Sequence, residues 1–204
     1  MSDIKLIISV VAVILTFVGY FPYIFNIFIG KTKPHIFSWF IWSITTFIIY
    51  ALQVSGGAGT GAWATLSVAI ILLLVFFLGL KNGNKNIKKI DIVFLILALF
   101  ALAFWLIVEQ PVLSIILLAL VDMFGFGPTI RKSYSDPYSE TLSLYTITTV
   151  RHALSFFALA EYNIITWLFP ITWVFANALF SIFLIVRRKK IPKQVSEKGE
   201  LKEE

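Results

Sequence analysis

The chain has 204 residues, 59% of them hydrophobic and only 14% charged, with a mean hydropathy of +0.90. A water-soluble domain carries roughly a quarter of its residues as charges, so that class is excluded. The net charge of +6 sits mainly in short connections and the C-terminal tail, which is the pattern of oriented membrane loops rather than of a nucleic-acid-binding face.

Seven predominantly apolar stretches follow one another, most of them long enough to cross a bilayer core of about 30 Å as a helix. They are not interrupted by alternating polar residues, which argues against a β-barrel. The first predicted helix covers 6–29 and ends at Gly30, a residue suited to a helix C-cap. It is too long for a signal-peptide core and lacks a small-residue cleavage site, so it is read as part of the fold. A basic loop with Lys31 and Lys33 leads to a second helix over 37–54. Residues 55–61 hold four glycines and no charge, and read as a tight turn before a third helix over 62–80. Residues 81–89 carry four lysines and precede a fourth helix over 92–108. Glu109-Gln110-Pro111 is a short turn into a fifth helix over 112–129. A polar loop with Arg131, Lys132 and Ser135-Asp136-Pro137 leads to a sixth helix over 141–159, and the seventh covers 164–186. From Arg187 the chain is hydrophilic and is expected to be disordered, with its four leading cations against anionic headgroups.

The cations of the first, third and fifth loops and of the tail all fall on one side of a seven-span chain. The other side holds Lys5 balanced by Asp3, an uncharged turn, Glu109 and Glu161. The positive-inside rule then places the N-terminus outside and the C-terminus in the cytoplasm, with Lys5 as the dissenting charge, and the expected location is the cell (plasma or inner) membrane.

Gly19-Tyr20-Phe21-Pro22 near the end of the first helix returns as Gly125-Phe126-Gly127-Pro128 near the end of the fifth, 106 residues on. With one residue dropped in the loop, Ser38 aligns with Ser143, Ser43 with Thr148, Thr46 with Arg151 and Tyr50 with Ser155. Trp63 then aligns with Trp167. Two three-helix units joined directly would be inverted, whereas one linking helix makes them parallel. The predicted fold is therefore all-α and integral to the membrane: seven transmembrane helices in a 3+1+3 parallel repeat of triple-helix bundles. Its parts are a first bundle over 1–80, a linker with the fourth helix over 81–111, a second bundle over 112–186 and a cytoplasmic tail over 187–204.

On those repeated motifs the chain resembles the PQ-loop superfamily and, within it, the SWEET-like sugar carriers. The likeness covers 19–186 as architecture and two short motifs as residues. The signature Pro-Gln reads Pro22-Tyr23 and Pro128-Thr129, and no proline stands in the second helix of either triplet. The resemblance implies a bending proline in each triplet, an aromatic flanking the solute at Trp173 and a polar reader of hydroxyls at Asn177; the repeat partner of Asn177 is Leu73.

Proline removes a backbone donor and clashes with the preceding turn, so Pro22 and Pro128 are expected hinges, with Gly19 and Gly125 allowing close helix approach. Asp122, Arg151 and His152 are ionisable groups inside predicted spans and must face a protein interior, a partner or a wet cavity. Thr148, Arg151, His152 and Ser155 share one helical face, and Asp122, Gly125 and Thr129 share another. The two faces are expected to meet, with Asp122 paired to Arg151. A paired Asp122 stays ionised and favours facilitated diffusion, while an unpaired one can couple solute to protons. Helix 7 presents Pro170, Trp173, Asn177 and Ser181 at helical spacing, and helix 2 offers Trp39, Ser43, Thr46 and Tyr50. The expected substrate site is Asp122, Arg151, His152, Trp173, Asn177, Ser43 and Thr46. There is no cysteine, no phosphate-cradling loop, and no carboxylate pair near either histidine, so no metal site or nucleophile is expected. The expected function is transport of a small polar solute by alternating access, not catalysis. Partners are that solute and the lipid bilayer, with no nucleic acid and no cofactor; a homo-oligomer is left open. The rival readings are a non-transporting seven-helix sensor and a proton-coupled exporter of amino-acid type.

Overall fold

The computed structural model describes residues 3–30, 34, 36–82, 89–135, 137–138 and 140–191, with the backbone alone for 38, 82, 91, 127–129, 131 and 132. Lys31, Lys33, Lys85, Lys88 and the tail from 192 onward lie outside the described residues, as do the side chains of Pro128, Arg131 and Lys132.

The described residues form seven α-helices and one 3₁₀ turn: α1 (Asp3–Phe28), α2 (Ile36–Ser55), the 3₁₀ turn (Gly59–Ala62), α3 (Trp63–Asn82), α4 (Lys89–Leu106), α5 (Pro111–Ser135), α6 (Leu142–Phe157) and α7 (Ile164–Lys190). Three helical stretches, Asp3–Phe28, Gly59–Lys81 and Ile164–Lys190, are long and apolar enough to cross a membrane. Shorter apolar helices run over Trp39–Ser55, Ile92–Leu106 and Pro111–Phe126. At about 1.5 Å per residue α6 extends only about 24 Å, and it carries the most polar sequence among the helices. That polarity is tolerated because α6 is packed against α1, α3 and α7.

The surface is inverted relative to a water-soluble protein. Phe21, Phe124, Phe175 and Leu179 are each more than 60% exposed, whereas Asp122, Arg151, His152, Gln53 and Asn177 are buried. Apolar exposure on this scale marks a surface that meets lipid or a partner.

Helix neighbours do not follow chain order. α3 packs against both α1 and α2, and α7 packs against both α5 and α6. Of the remaining interfaces the broad one joins α1 to α6, with smaller ones joining α2 to α5, α3 to α6 and α2 to α7. α4 lies against α5 and α2. Gly30, at φ +73°, ends α1 as expected, its N–H bonded to the Ile27 carbonyl at 3.0 Å. α7 begins on a capping box: Asn163 accepts from the Ile165 N–H, and the Asn163 N–H donates to the Thr166 hydroxyl.

The C-terminal boundary of α7 corrects the sequence reading. Arg187 to Lys190 are helical rather than disordered. Cations suit the negative end of a helix. Two of them are also held: Arg187 donates to the Tyr134 carbonyl and stacks on the Tyr134 ring at 3.9 Å. Arg188 donates to the carbonyls of Pro137 (3.1 Å) and Glu140 (2.7 Å).

Candidate functional site

A cavity of about 500 Å³ opens among α1, α2, α3, α5, α6 and α7. Its deeper wall holds Thr46, Asp122, Arg151, His152, Trp173 and Asn177. Its other extreme reaches Asn26, Glu140 and Thr141, at the end of the molecule where α7 finishes in its basic cluster.

Glycines set two of the helix approaches that shape this space. A side chain added at Gly19 would lie 3.4 Å from Ile147 on α6, and one added at Gly125 would lie 3.3 Å from the Trp42 indole nitrogen on α2. The α1–α6 and α5–α2 crossings are therefore close because these positions lack a Cβ. Pro22 falls within α1, which stays helical to Phe28, and its ring borders the cavity.

The opposite end is sealed by two connections that grip each other. The Ala160 N–H donates to the Ala58 carbonyl at 3.0 Å. Ser155 donates to the Gly61 carbonyl at 2.9 Å, and the Asn163 amide to the Gly56 carbonyl at 2.7 Å. Deeper in, the Gln53 amide donates to the Thr166 carbonyl at 3.1 Å. Ala58, Ala62 and Leu159 are fully buried between these segments. Lys5, the cation that dissented in the charge count, donates to the Leu159 carbonyl at 2.6 Å and lies 5.4 Å from the Tyr162 ring. The glycine-rich segment is thus half of an interlocking closure, not a simple turn.

The expected Asp122–Arg151 pair is corrected: among the described residues no ion pair joins them. α5 and α6 are not broad neighbours, because α7 stands between them. Asp122 instead accepts from the Thr45 hydroxyl at 3.2 Å. Arg151 turns to its chain neighbour. Its Nη2 lies 2.7 Å from Nε2 of His152, whose Nδ1 is 2.9 Å from the Thr148 carbonyl. A carbonyl only accepts, so Nδ1 carries the proton and Nε2 accepts from the guanidinium. The His152 ring stacks on Trp173 at 6.2 Å.

Asn177 donates to the Trp173 carbonyl at 2.7 Å, and its Oδ1 accepts no bond from a described residue. Ser43 does not border the cavity: it is buried and donates to the Phe40 carbonyl of its own helix. Tyr50 packs at the sealed end instead. The face that α2 presents keeps Trp39 and Thr46 of the expected stripe and adds Trp42. Sequence reasoning did not single out Tyr20, Tyr23, Phe126 and Tyr145, which add rings to the wall, nor Glu140, which accepts from the Tyr145 hydroxyl at 2.8 Å. Tyr20 and Phe126 directly follow the repeated glycines, and that position was the signal available.

Among the described residues no cluster of His, Asp or Glu has the makings of a metal site. In comparisons with known proteins, no family model, no curated protein and no solved structure matches the chain.

Proposed function

We propose that the chain is a membrane carrier that moves a small polar solute, a sugar or similar metabolite, by alternating access, on a SWEET-like seven-span plan. The observation that carries this reading is a cavity bordered by helices from both halves, closed at one end by interlocked loops and extending to the other.

The duplication is supported by the pattern of neighbours. Exchanging α1, α2 and α3 for α5, α6 and α7 maps the α1–α6 interface onto α5–α2 and the α3–α6 interface onto α7–α2. It also maps the third helix of each triplet, packed on the other two, onto its counterpart. The glycine approaches follow suit, since Gly19 aligns with Gly125 and Trp42 aligns with Ile147. The two interlocked loops each join the second and third helix of a triplet, so they form a seal across the duplication. In this reading Gly19, Pro22, Gly125 and Pro128 lie where the triplets bend past each other. The end with Lys81 and Arg187 to Lys190 faces the cytoplasm under the positive-inside rule, so the described form is inward-open.

Asp122→Asn keeps the shape of the site and removes its negative charge. In vesicles holding the full chain, uptake of the transported solute is expected to fall by about tenfold or more, the scale of a lost charge-assisted hydrogen bond. Unchanged uptake would remove Asp122 from the site. The unpaired state of Asp122 favours proton-coupled transport as the second reading, because the carboxyl can exchange a proton with the lumen. Uptake stimulated by a pH gradient, and insensitive to it in Asp122→Asn, is the result that reading requires.

A further inference from the structure

We infer that the cavity binds a small organic oxyanion, a carboxylate or a phosphate ester, anchored on the Arg151 guanidinium. The word solute rests on the carrier reading above; the binding site itself does not.

Arg151 is 3% exposed, yet it borders the cavity. Its side chain is always a cation. Nη2 is occupied by His152, Nε has no partner, and among the described residues no carboxylate stands within ion-pair range. A cation held away from water without a counter-ion is strongly disfavoured, so a matching negative charge is favoured at this place. His152 does not supply it, because its ring is the neutral acceptor that aims the guanidinium. Asp122 does not supply it either: it accepts from Thr45 on α2, and among the described residues no ion pair joins it to Arg151. Glu140 stands at the far extreme of the cavity beside Tyr145. Tyr20, which also borders the cavity, offers a hydroxyl dipole and no full charge.

The guanidinium presents its donors as a planar fork, which fits the two oxygens of a carboxylate or phosphate. A neutral sugar would leave the cation unmatched. The repeat partner of Arg151 is Thr46, so the positive charge belongs to one wall only. The facing wall is built of rings, with Tyr23 and Trp39 at 5.0 Å and Trp39 and Trp42 at 5.6 Å. A flat or apolar body is thus accommodated opposite the anionic head.

Three probes with similar bodies test the head group: benzoate, phenyl phosphate and benzyl alcohol. They are titrated against the solubilised full chain, with tryptophan fluorescence as readout, since Trp39, Trp42 and Trp173 border the cavity. Saturable binding of benzoate or of phenyl phosphate, with none of benzyl alcohol, is expected, and the two anion arms separate carboxylate from phosphate. Arg151→Gln should weaken that binding about tenfold, while Arg151→Lys retains most of it. Equal binding of benzyl alcohol, or failure of both anions, overturns the inference in the wild-type chain alone, so it survives a variant that does not fold. Uptake is measured separately in vesicles. Anion binding without solute movement would defeat the carrier reading and leave the anchor, whereas uptake of a neutral sugar without anion binding would do the reverse.

Discussion

Gly61→Ala is expected to lower the stability of the solubilised protein by at least ~1–3 kcal/mol, the range for overpacking a tight interior. A Cβ at this position would lie 2.8 Å from both the backbone nitrogen and the Cα of Leu159. Backbone cannot swing aside as a side chain can, so the two connections must separate. That movement also breaks the Ser155 bond to the Gly61 carbonyl and loosens the cluster of Ala58, Ala62 and Leu159. Thermal unfolding followed by circular dichroism reads the loss directly. A melting temperature equal to that of the wild type would show that the connections do not press together as described.

Locking the same closure is expected to stop transport. The chain has no cysteine, so a pair introduced as Ala58→Cys and Ala160→Cys would be the sole thiols present. The 3.0 Å backbone bond between these residues brings their α-carbons within the span of a disulfide. Under oxidant, solute uptake into vesicles should drop to the level of protein-free vesicles, and reductant should restore it. Alternating access requires this end to part, since the other end is the one the cavity already reaches. Full uptake with the disulfide shown to be formed would rule that mechanism out.

Much of the helical plan was legible from apolar runs and loop chemistry. Gly30 stops α1, α7 begins at Ile164 where its apolar run does, and the lysine-rich stretch after Lys81 lies between α3 and α4. Helical spacing also set Arg151 and His152 beside Thr148 on one face, and all three border the cavity. Spacing says which residues share a face but not which helix that face meets. This is why Asp122 was expected against Arg151: α5 and α6 are consecutive, and only the packed fold reveals α7 between them. The same limit affects α2. Ser43 and Thr45 are both buried, and nothing in the local pattern indicates that Thr45 is the one that reaches Asp122. The grip of Ala160 on Ala58 joins segments about a hundred residues apart in sequence through backbone atoms, which leave no trace in side-chain identity. The helical course of Arg187 to Lys190 was hidden in the same way, because the groups that hold it are main-chain carbonyls at the end of α5 and in the α5–α6 connection.

Asp122 and Arg151 both come from the second half of the chain, and the aligned positions in the first half are Thr16 and Thr46. An assembly of two identical half-length subunits could never achieve this, because every acid and base would appear twice, facing its own copy across the axis. In the proposed carrier, the acid and the base would therefore each stand on one side of the cavity only, and a molecule with two unlike ends would meet unlike walls.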